Sequence, residues 1–124
     1  MKKRIKIIPS KSVFCDVDDT LIKWPTKKRS FQDNPKAIKL NFLGNKMTVL
    51  PLEENIAKLK SFHKKGYEIV VWSLSSKQWA EYIVKKLNLT NYVDVCLSKP
   101  DFYIDDKDAA EFMLPDKRIY HPLL

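Results

Sequence analysis

Val-Phe-Cys-Asp-Val-Asp-Asp-Thr-Leu, at residues 13–21, joins an apolar, β-prone run to three carboxylates within four residues. Such a run is typical of a strand buried in a parallel sheet, and ligands of open α/β sheets bind beyond the carboxyl ends of the strands. Asp16 and Asp18 stand two residues apart at that end, so we expect their side chains to point the same way. Two adjacent carboxylates favour a divalent cation, and hard oxygen ligands suit Mg²⁺.

Length and composition predict one compact domain. The 124 residues suffice for a single core and are too few for two. A hydrophobic fraction of 44% with only two glycines indicates an ordered globular protein. The net charge of +8 permits an anionic partner, nucleic acid included, although most of the lysines are expected to be ordinary solvated surface residues.

The cysteines and the hydropathy pattern predict a cytoplasmic protein without a membrane partner. Cys15 and Cys96 lie in apolar, strand-like runs and are expected to be buried free thiols, as fits a reducing compartment. Residues 1–4 are basic, but the apolar run that follows is too short and interrupted for a signal peptide. No stretch approaches the length of a transmembrane helix.

A β-hairpin is predicted within residues 31–51, after the first strand. Apolar residues alternate with polar ones on both sides of a Gly44-Asn45 turn, at Ile38, Leu40, Phe42, Met47 and Val49. With this turn, Phe42 faces Met47 and Leu40 faces Val49. An isolated hairpin is unstable in water, so its apolar face must cover either the protein's own active site or another copy of the protein.

The rest of the chain alternates between helical and strand patterns. Helices are predicted from Pro51 to Gly66 and from Ser75, which has capping-box spacing to Gln78, to Leu87. Strands are predicted at residues 12–17, 67–72, 93–97, 102–104 and 118–120, with an edge strand or basic arm at 4–9. Alternating strands and helices indicate βαβ units. We therefore predict an α/β protein: a three-layer Rossmann-like fold with a mainly parallel central sheet and a β-hairpin flap.

Four predicted strands end in groups that can bind phosphate or metal: Asp16 with Asp18, Ser73, Lys99, and Asp105 with Asp106. This order resembles that of the haloacid dehalogenase-like (HAD) superfamily of phosphotransferases. The family's first motif, D-x-D-x-T, stands here as residues 16–20. Its second motif matches Ser73, its third matches Lys99, and its acidic fourth motif matches Asp105-Asp106. The resemblance spans residues 12–108.

Each of these residues also has an ordinary structural explanation. The acids after the first strand could accept backbone hydrogen bonds in a turn. Ser73 could cap a helix, Lys99 could be an exposed loop lysine, and Asp105-Asp106 could cap a short helix near residue 108. All four groups in this order are much more specific than any one alone.

The resemblance implies a phosphatase that works through an aspartyl-phosphate intermediate. It makes Asp16 the nucleophile and Asp18 the general acid and base. Ser73 and Lys99 would bind the transferring phosphoryl group, and Thr20 would support the loop.

The resemblance also implies a Mg²⁺ site. The ion would be bound by Asp16, Asp18 and Asp105, with Asp106 acting through water. Asp19 replaces the glycine common at its position, which leaves the mechanism intact if the backbone there avoids a left-handed conformation.

The segment between the first motif and the predicted helix bears on the substrate. Between Thr20 and Pro51 there is room only for a loop and the hairpin, so the chain resembles the minimally capped members of the family. An open site suits a bulky substrate, and the basic Lys27-Lys28-Arg29 loop slightly favours a nucleotide or polynucleotide phosphate. Trp24 could stack on a substrate ring or plug the edge of the core. The alternatives are a non-catalytic nucleic-acid or protein-binding domain on a HAD-like scaffold, and a small sugar-phosphate phosphatase closed by homo-oligomerisation through the hairpin.

Overall fold

A computed structural model describes residues 11–119, which form two three-stranded sheets and two α-helices. The elements in chain order are β1 (Ser12–Asp16), β2 (Ile22–Lys23), β3 (Ile38–Phe42), β4 (Asn45–Pro51), α1 (Glu53–Lys64), β5 (Glu68–Ser73), α2 (Lys77–Lys86) and β6 (Val95–Ser98). Two short 3₁₀ turns follow, at Ala109–Glu111 and Pro115–Lys117. The strand or arm predicted at residues 4–9 lies outside the described part of the chain.

The first sheet is parallel, with the strand order β1-β5-β6. Both crossovers step in the same direction, and because such connections are right-handed, α1 and α2 lie on the same face. Ile69 and Val71 of β5 point toward that face and are buried together with Leu59 of α1 and Ile83 of α2. The α/β class with a parallel sheet is therefore confirmed.

The opposite face of the parallel sheet is only partly covered. In register with Val70 and Trp72 of β5, it carries Phe14, Val95 and Leu97, which remain 46%, 39% and 38% exposed. Helices thus cover one side of these strands, which makes two layers. The finer three-layer arrangement stays a prediction.

The second sheet is antiparallel, in the order β2-β4-β3, and contains the predicted hairpin. Its turn residues are Leu43 and Gly44, with φ of 51° and 83°, and not Gly44-Asn45. Two positive φ angles define the type I′ turn, whose twist matches that of the strands.

The predicted cross-strand pairs of the hairpin are therefore wrong. Leu40 pairs with Met47, and Phe42 pairs with Asn45. In each pair, the residue on β4 lies two positions earlier in the chain than predicted. Because side chains alternate between the two faces of a strand, a shift of two residues leaves the predicted apolar face unchanged. That face packs within the chain: Leu40 and Val49 belong to the same hydrophobic cluster as Ile69.

The two helices begin close to the predicted positions. α1 has Glu53 and Glu54 in its first turn and is followed by Gly66 at a φ of 87°. The cap of α2 is Ser76, whose side chain accepts a hydrogen bond from Trp79 N, so the predicted Ser75 cap is wrong by one residue. Ser75 instead donates its backbone N–H to Ser73 Oγ at 3.0 Å.

The segment after β6 differs most from the sequence prediction. Residues 102–104 form no strand, and Phe102 and Ile104 are fully exposed. Three apolar residues between Pro100 and two aspartates have strand propensity but no neighbouring strand to pair with, and propensity alone does not hold a strand. Residues 118–119 are also irregular, while the rest of that predicted strand lies outside the described residues. Between residues 11 and 119, no helix is long and apolar enough to cross a membrane.

Candidate active site

The candidate site lies at the carboxyl edge of the parallel sheet, where β1 ends in Asp16. Lys99 Nζ lies 3.2 Å from Asp16 Oδ1, and Thr20 Oγ1 donates to Asp16 Oδ2 at 3.1 Å. Lys99 follows β6, two strands away from β1, and its backbone N–H donates to Ser73 O at 2.9 Å. Its ammonium group also lies 5.8 Å from the centre of the Trp72 ring. Three predicted site residues, Asp16, Thr20 and Lys99, therefore meet at one point.

A tight turn after β1 carries the remaining residues of the first motif. Val17 O accepts the backbone N–H groups of Thr20, Leu21 and Ile22 at 3.2, 2.9 and 3.3 Å. Asn55 of α1, which is buried, donates its side-chain N–H to Thr20 O at 2.9 Å. No sequence pattern marks Asn55, because a polar residue beside an apolar helical stripe gives no sign of a contact 35 residues away.

Asp19 adopts the left-handed conformation that the family's glycine would favour, with a φ of 56°. The condition that the backbone there avoids this conformation is therefore not met. Aspartate is among the few residues that tolerate it, because its short side chain forms local hydrogen bonds. Asp19 Oδ1 accepts such a bond from Trp24 N at 3.3 Å.

Asp18 is held by two tryptophans. Its Oδ1 accepts hydrogen bonds from Trp24 Nε1 at 2.9 Å and from Trp79 Nε1 at 3.1 Å. Its Oδ2 lies 3.5 Å from Ser75 Oγ. Trp24 is half-buried here, and its indole N–H points at the acid. In the sequence, Trp79 fits the apolar pattern of the second helix, and that pattern gives no sign of a polar contact.

Ser73 lies at the end of β5, at the same edge of the sheet, but is fully buried. Its Oγ accepts the backbone N–H of Ser75, which leaves the Ser73 hydroxyl hydrogen available as a donor. The Ser75 hydroxyl is exposed and is the one that approaches Asp18. The sequence prediction placed Ser75 at a helix cap and missed this contact.

The acidic pair at residues 105–106 is not brought to Asp16. Both side chains are exposed, and Asp105 Oδ1 accepts the backbone N–H of Lys107 at 2.9 Å. Within residues 11–119, no three His, Cys, Asp or Glu side chains come close enough to hold a metal ion. Asp18 is already bound to two indoles and Asp16 to Lys99, so the donors that meet at this edge do not fit a magnesium site by themselves.

The Cys15 thiol lies next to Asp16, and its pKa is raised. Burial raises the pKa of Cys15 to about 12; the neighbouring Asp16 carboxylate acts in the same direction, and the Lys99 ammonium opposes both. Burial, assisted by Glu81, also raises the pKa of Cys96, and Lys77 lowers it. Both cysteines are free, as predicted, but each residue is only partly buried.

The chain was also compared with known proteins. No family model, curated protein or solved structure matches it.

Proposed function

We propose that the protein is a phosphomonoester hydrolase of the HAD type, in which Asp16 attacks phosphorus. The observation that supports this most directly is the 3.2 Å contact between Asp16 Oδ1 and Lys99 Nζ, two groups that arrive from different strand ends. A carboxylate nucleophile must approach a phosphate that is itself negatively charged. An adjacent ammonium group offsets that repulsion and stabilises the transferring phosphoryl oxygens.

The reaction proceeds in two steps. An Asp16 carboxylate oxygen forms a bond to phosphorus while the bond to the leaving oxygen breaks, and protonated Asp18 gives its proton to that oxygen. Asp18 then removes a proton from water, whose oxygen attacks the aspartyl-phosphate and releases inorganic phosphate and free Asp16. Thr20 keeps the Asp16 carboxylate oriented through the hydrogen bond to Oδ2.

Mg²⁺ and the third layer of the fold are further parts of the proposal, and both rest on the resemblance. Mg²⁺ would neutralise charge on the phosphate when bound, and it requires Asp105 to approach Asp16. The third layer would cover the open side of the sheet. The exposed apolar side chains of residues 100–119, among them Phe102 and Ile104, are the material available within the chain for that cover.

The proposed substrate class is a nucleotide or polynucleotide phosphate. Lys27 and Lys28 are exposed in the turn after Trp24. Because Trp24 donates a hydrogen bond to Asp18, this turn begins close to the candidate site. Exposed lysines near a phosphate-processing site attract a polyanion and make its binding sensitive to salt.

A second candidate is a non-catalytic domain that binds nucleic acid or another anion. A cleft of about 460 Å³ on the hairpin is lined by Lys39, Lys46 and Lys86, with no acidic residue in its lining. Such a cleft would bind an anion by charge without any reaction. The remaining alternative is a sugar-phosphate phosphatase closed by a second copy. The apolar face of the hairpin is not free for that contact, because Leu40 and Val49 are buried in the core of the chain itself.

The test is hydrolysis of p-nitrophenyl phosphate by the purified chain with Mg²⁺, before and after EDTA. Asp16→Asn keeps the shape of the side chain and removes the nucleophile, so we expect a loss of about 10³-fold or more in kcat. Asp33→Asn, which makes the same change at an exposed residue, is the matched control and should keep full activity. Equal rates for Asp16→Asn and the unmodified chain would overturn the proposal.

A substrate panel separates the alternatives. It compares 3′-phosphorylated oligonucleotides, nucleoside monophosphates and sugar phosphates at two salt concentrations. A polynucleotide substrate predicts a preference for the oligonucleotide that weakens as salt rises. A flat preference without salt dependence would contradict that substrate class and leave the phosphatase reaction standing.

A further inference from the structure

The two tryptophans beside Asp18 form a defined arrangement. Trp24, which follows β2, and Trp79, in the first turn of α2, donate their indole N–H groups to the same oxygen, Asp18 Oδ1, at 2.9 and 3.1 Å. An indole N–H donates a hydrogen bond and cannot accept one. Neither tryptophan can therefore accept a proton from Asp18 or pass one on.

Packing holds both indoles in place. The Trp24 and Trp79 rings stack with centroids 6.0 Å apart and an interplanar angle of 22°. Phe42 of the hairpin lies against Trp79 at 5.1 Å, and Trp79 is buried. The Trp24 backbone is tied to Asp19 Oδ1. The two donors are thus directed at Asp18 before any substrate binds, the condition under which a neighbouring group can orient an acid efficiently.

The two oxygens of Asp18 are consequently not equivalent. Two donors fill the hydrogen-bonding capacity of Oδ1, whereas Oδ2 faces only the exposed Ser75 hydroxyl at 3.5 Å. We propose that Trp24 and Trp79 are positioning residues that lock the Asp18 carboxylate, so that it gives and takes its proton through Oδ2 alone. This inference rests on the proposed phosphatase function.

The dependence of the rate on the leaving group tests this positioning. Release of p-nitrophenolate needs little help from an acid, whereas release of an alkoxide from a nucleoside 5′-monophosphate depends on proton transfer from Asp18. Trp24→Phe keeps an aromatic ring and removes the donor. We expect kcat/KM, which reports only the steps up to release of the leaving group, to fall about 10-fold or more on the nucleotide and less than about threefold on p-nitrophenyl phosphate, since general acid catalysis contributes about 10²-fold or more. Trp79→Phe should show the same selective loss.

Tyr82→Phe is the matched control. Tyr82 stacks on Trp79 at 5.9 Å and 17°, and its hydroxyl accepts the backbone N–H of Asn41, away from Asp18. The substitution removes one polar group from the same aromatic cluster, so any effect should be equal on both substrates. An equal loss on both substrates in Trp24→Phe would show a merely structural role and overturn the inference.

A second measurement does not depend on activity. In ¹⁵N-labelled protein, Asp18→Ala removes the oxygen that accepts both hydrogen bonds, so it should shift the indole N–H signals of Trp24 and Trp79 together. Indole signals that stay in place in Asp18→Ala would also overturn the inference. If the unmodified chain hydrolyses neither substrate, the proposed function has failed; if it is active and only the leaving-group selectivity is absent, the positioning inference alone has failed.

Discussion

At the scale of single residues, the site depends on two opposite charges, Asp16 and Lys99, which lie in contact at the carboxyl end of β1. Asp16 is paired with Lys99, and Cys15 precedes Asp16 with its thiol on the helix-covered face. Removal of either charge therefore changes the environment of a thiol that takes no part in the proposed reaction.

The reactivity of Cys15 reports this coupling. A pKa of about 12 means that the thiolate is almost absent at pH 8, so the native protein should react with iodoacetamide at Cys15 only slowly and faster as the pH approaches that value. Asp16→Asn removes a charge that raises the pKa and should speed the reaction, whereas Lys99→Met should slow it. Peptide mass spectrometry after timed labelling measures both. If Cys15 of the native protein is labelled at pH 8 as fast as Cys15 of the protein unfolded in urea, the raised pKa of Cys15 is contradicted.

The sequence predicted those residues that belong to a local pattern. Asp16, Thr20 and Lys99 sit at strand ends or in the first motif, and their positions follow from the alternation of strands and helices. The contact of Trp79 with Asp18 spans 61 residues and depends on how α2 packs against the loop after β1. No sequence periodicity encodes such a contact, so the shared hydrogen bonding of Trp24 and Trp79 to Asp18 could not be predicted without the fold.

At the scale of elements, the hairpin shows how a turn sets strand pairing. Two positive-φ residues are needed, and the sequence offers Leu43-Gly44 or Gly44-Asn45. Residue preference favours the second pair, because leucine is strained at positive φ. The observed register uses the first pair and places Leu43 in solvent, where its side chain meets no obstacle. The strand pairing therefore outweighs the local preference of the turn.

Leu43→Asn should relieve this strain. Asparagine tolerates a positive φ, and we expect the free energy of unfolding to rise by about 1 kcal/mol. Leu43→Ala is the control: it removes the same exposed apolar surface but keeps a β-carbon at a φ of 51°, so it should bring little gain. Urea denaturation measures both variants. A gain of equal size in both would assign the effect to lost surface hydrophobicity.

At the scale of the whole molecule, the parallel sheet is unevenly covered. Both helices and the hairpin share one hydrophobic cluster on one side, while Phe14, Val95 and Leu97 border solvent on the other. The alternation of elements predicted the parallel direction of the strands, because it depends only on chain connectivity. The three-layer prediction goes further, because the cover of the second side depends on where the residues after β6 pack.

The proposed third layer can be tested through stability. If residues 100–119 close over the sheet, Phe102→Ser and Ile104→Ser should each lower the free energy of unfolding by about 2 kcal/mol. Leu74→Ser is the control, because Leu74 is an exposed apolar residue in the loop before α2 and should change stability by less than about 0.5 kcal/mol. If all three variants change the free energy of unfolding by less than about 0.5 kcal/mol, the proposed third layer is contradicted.

The position of Trp24 and Trp79 beside Asp18 also allows ligand binding to be followed by intrinsic tryptophan fluorescence. Two of the three tryptophans donate hydrogen bonds to Asp18, so a change at that carboxylate should alter the intrinsic tryptophan fluorescence. Quenching or a wavelength change on addition of vanadate or phosphate would register an oxyanion arriving there, in unlabelled protein and without any chemical turnover.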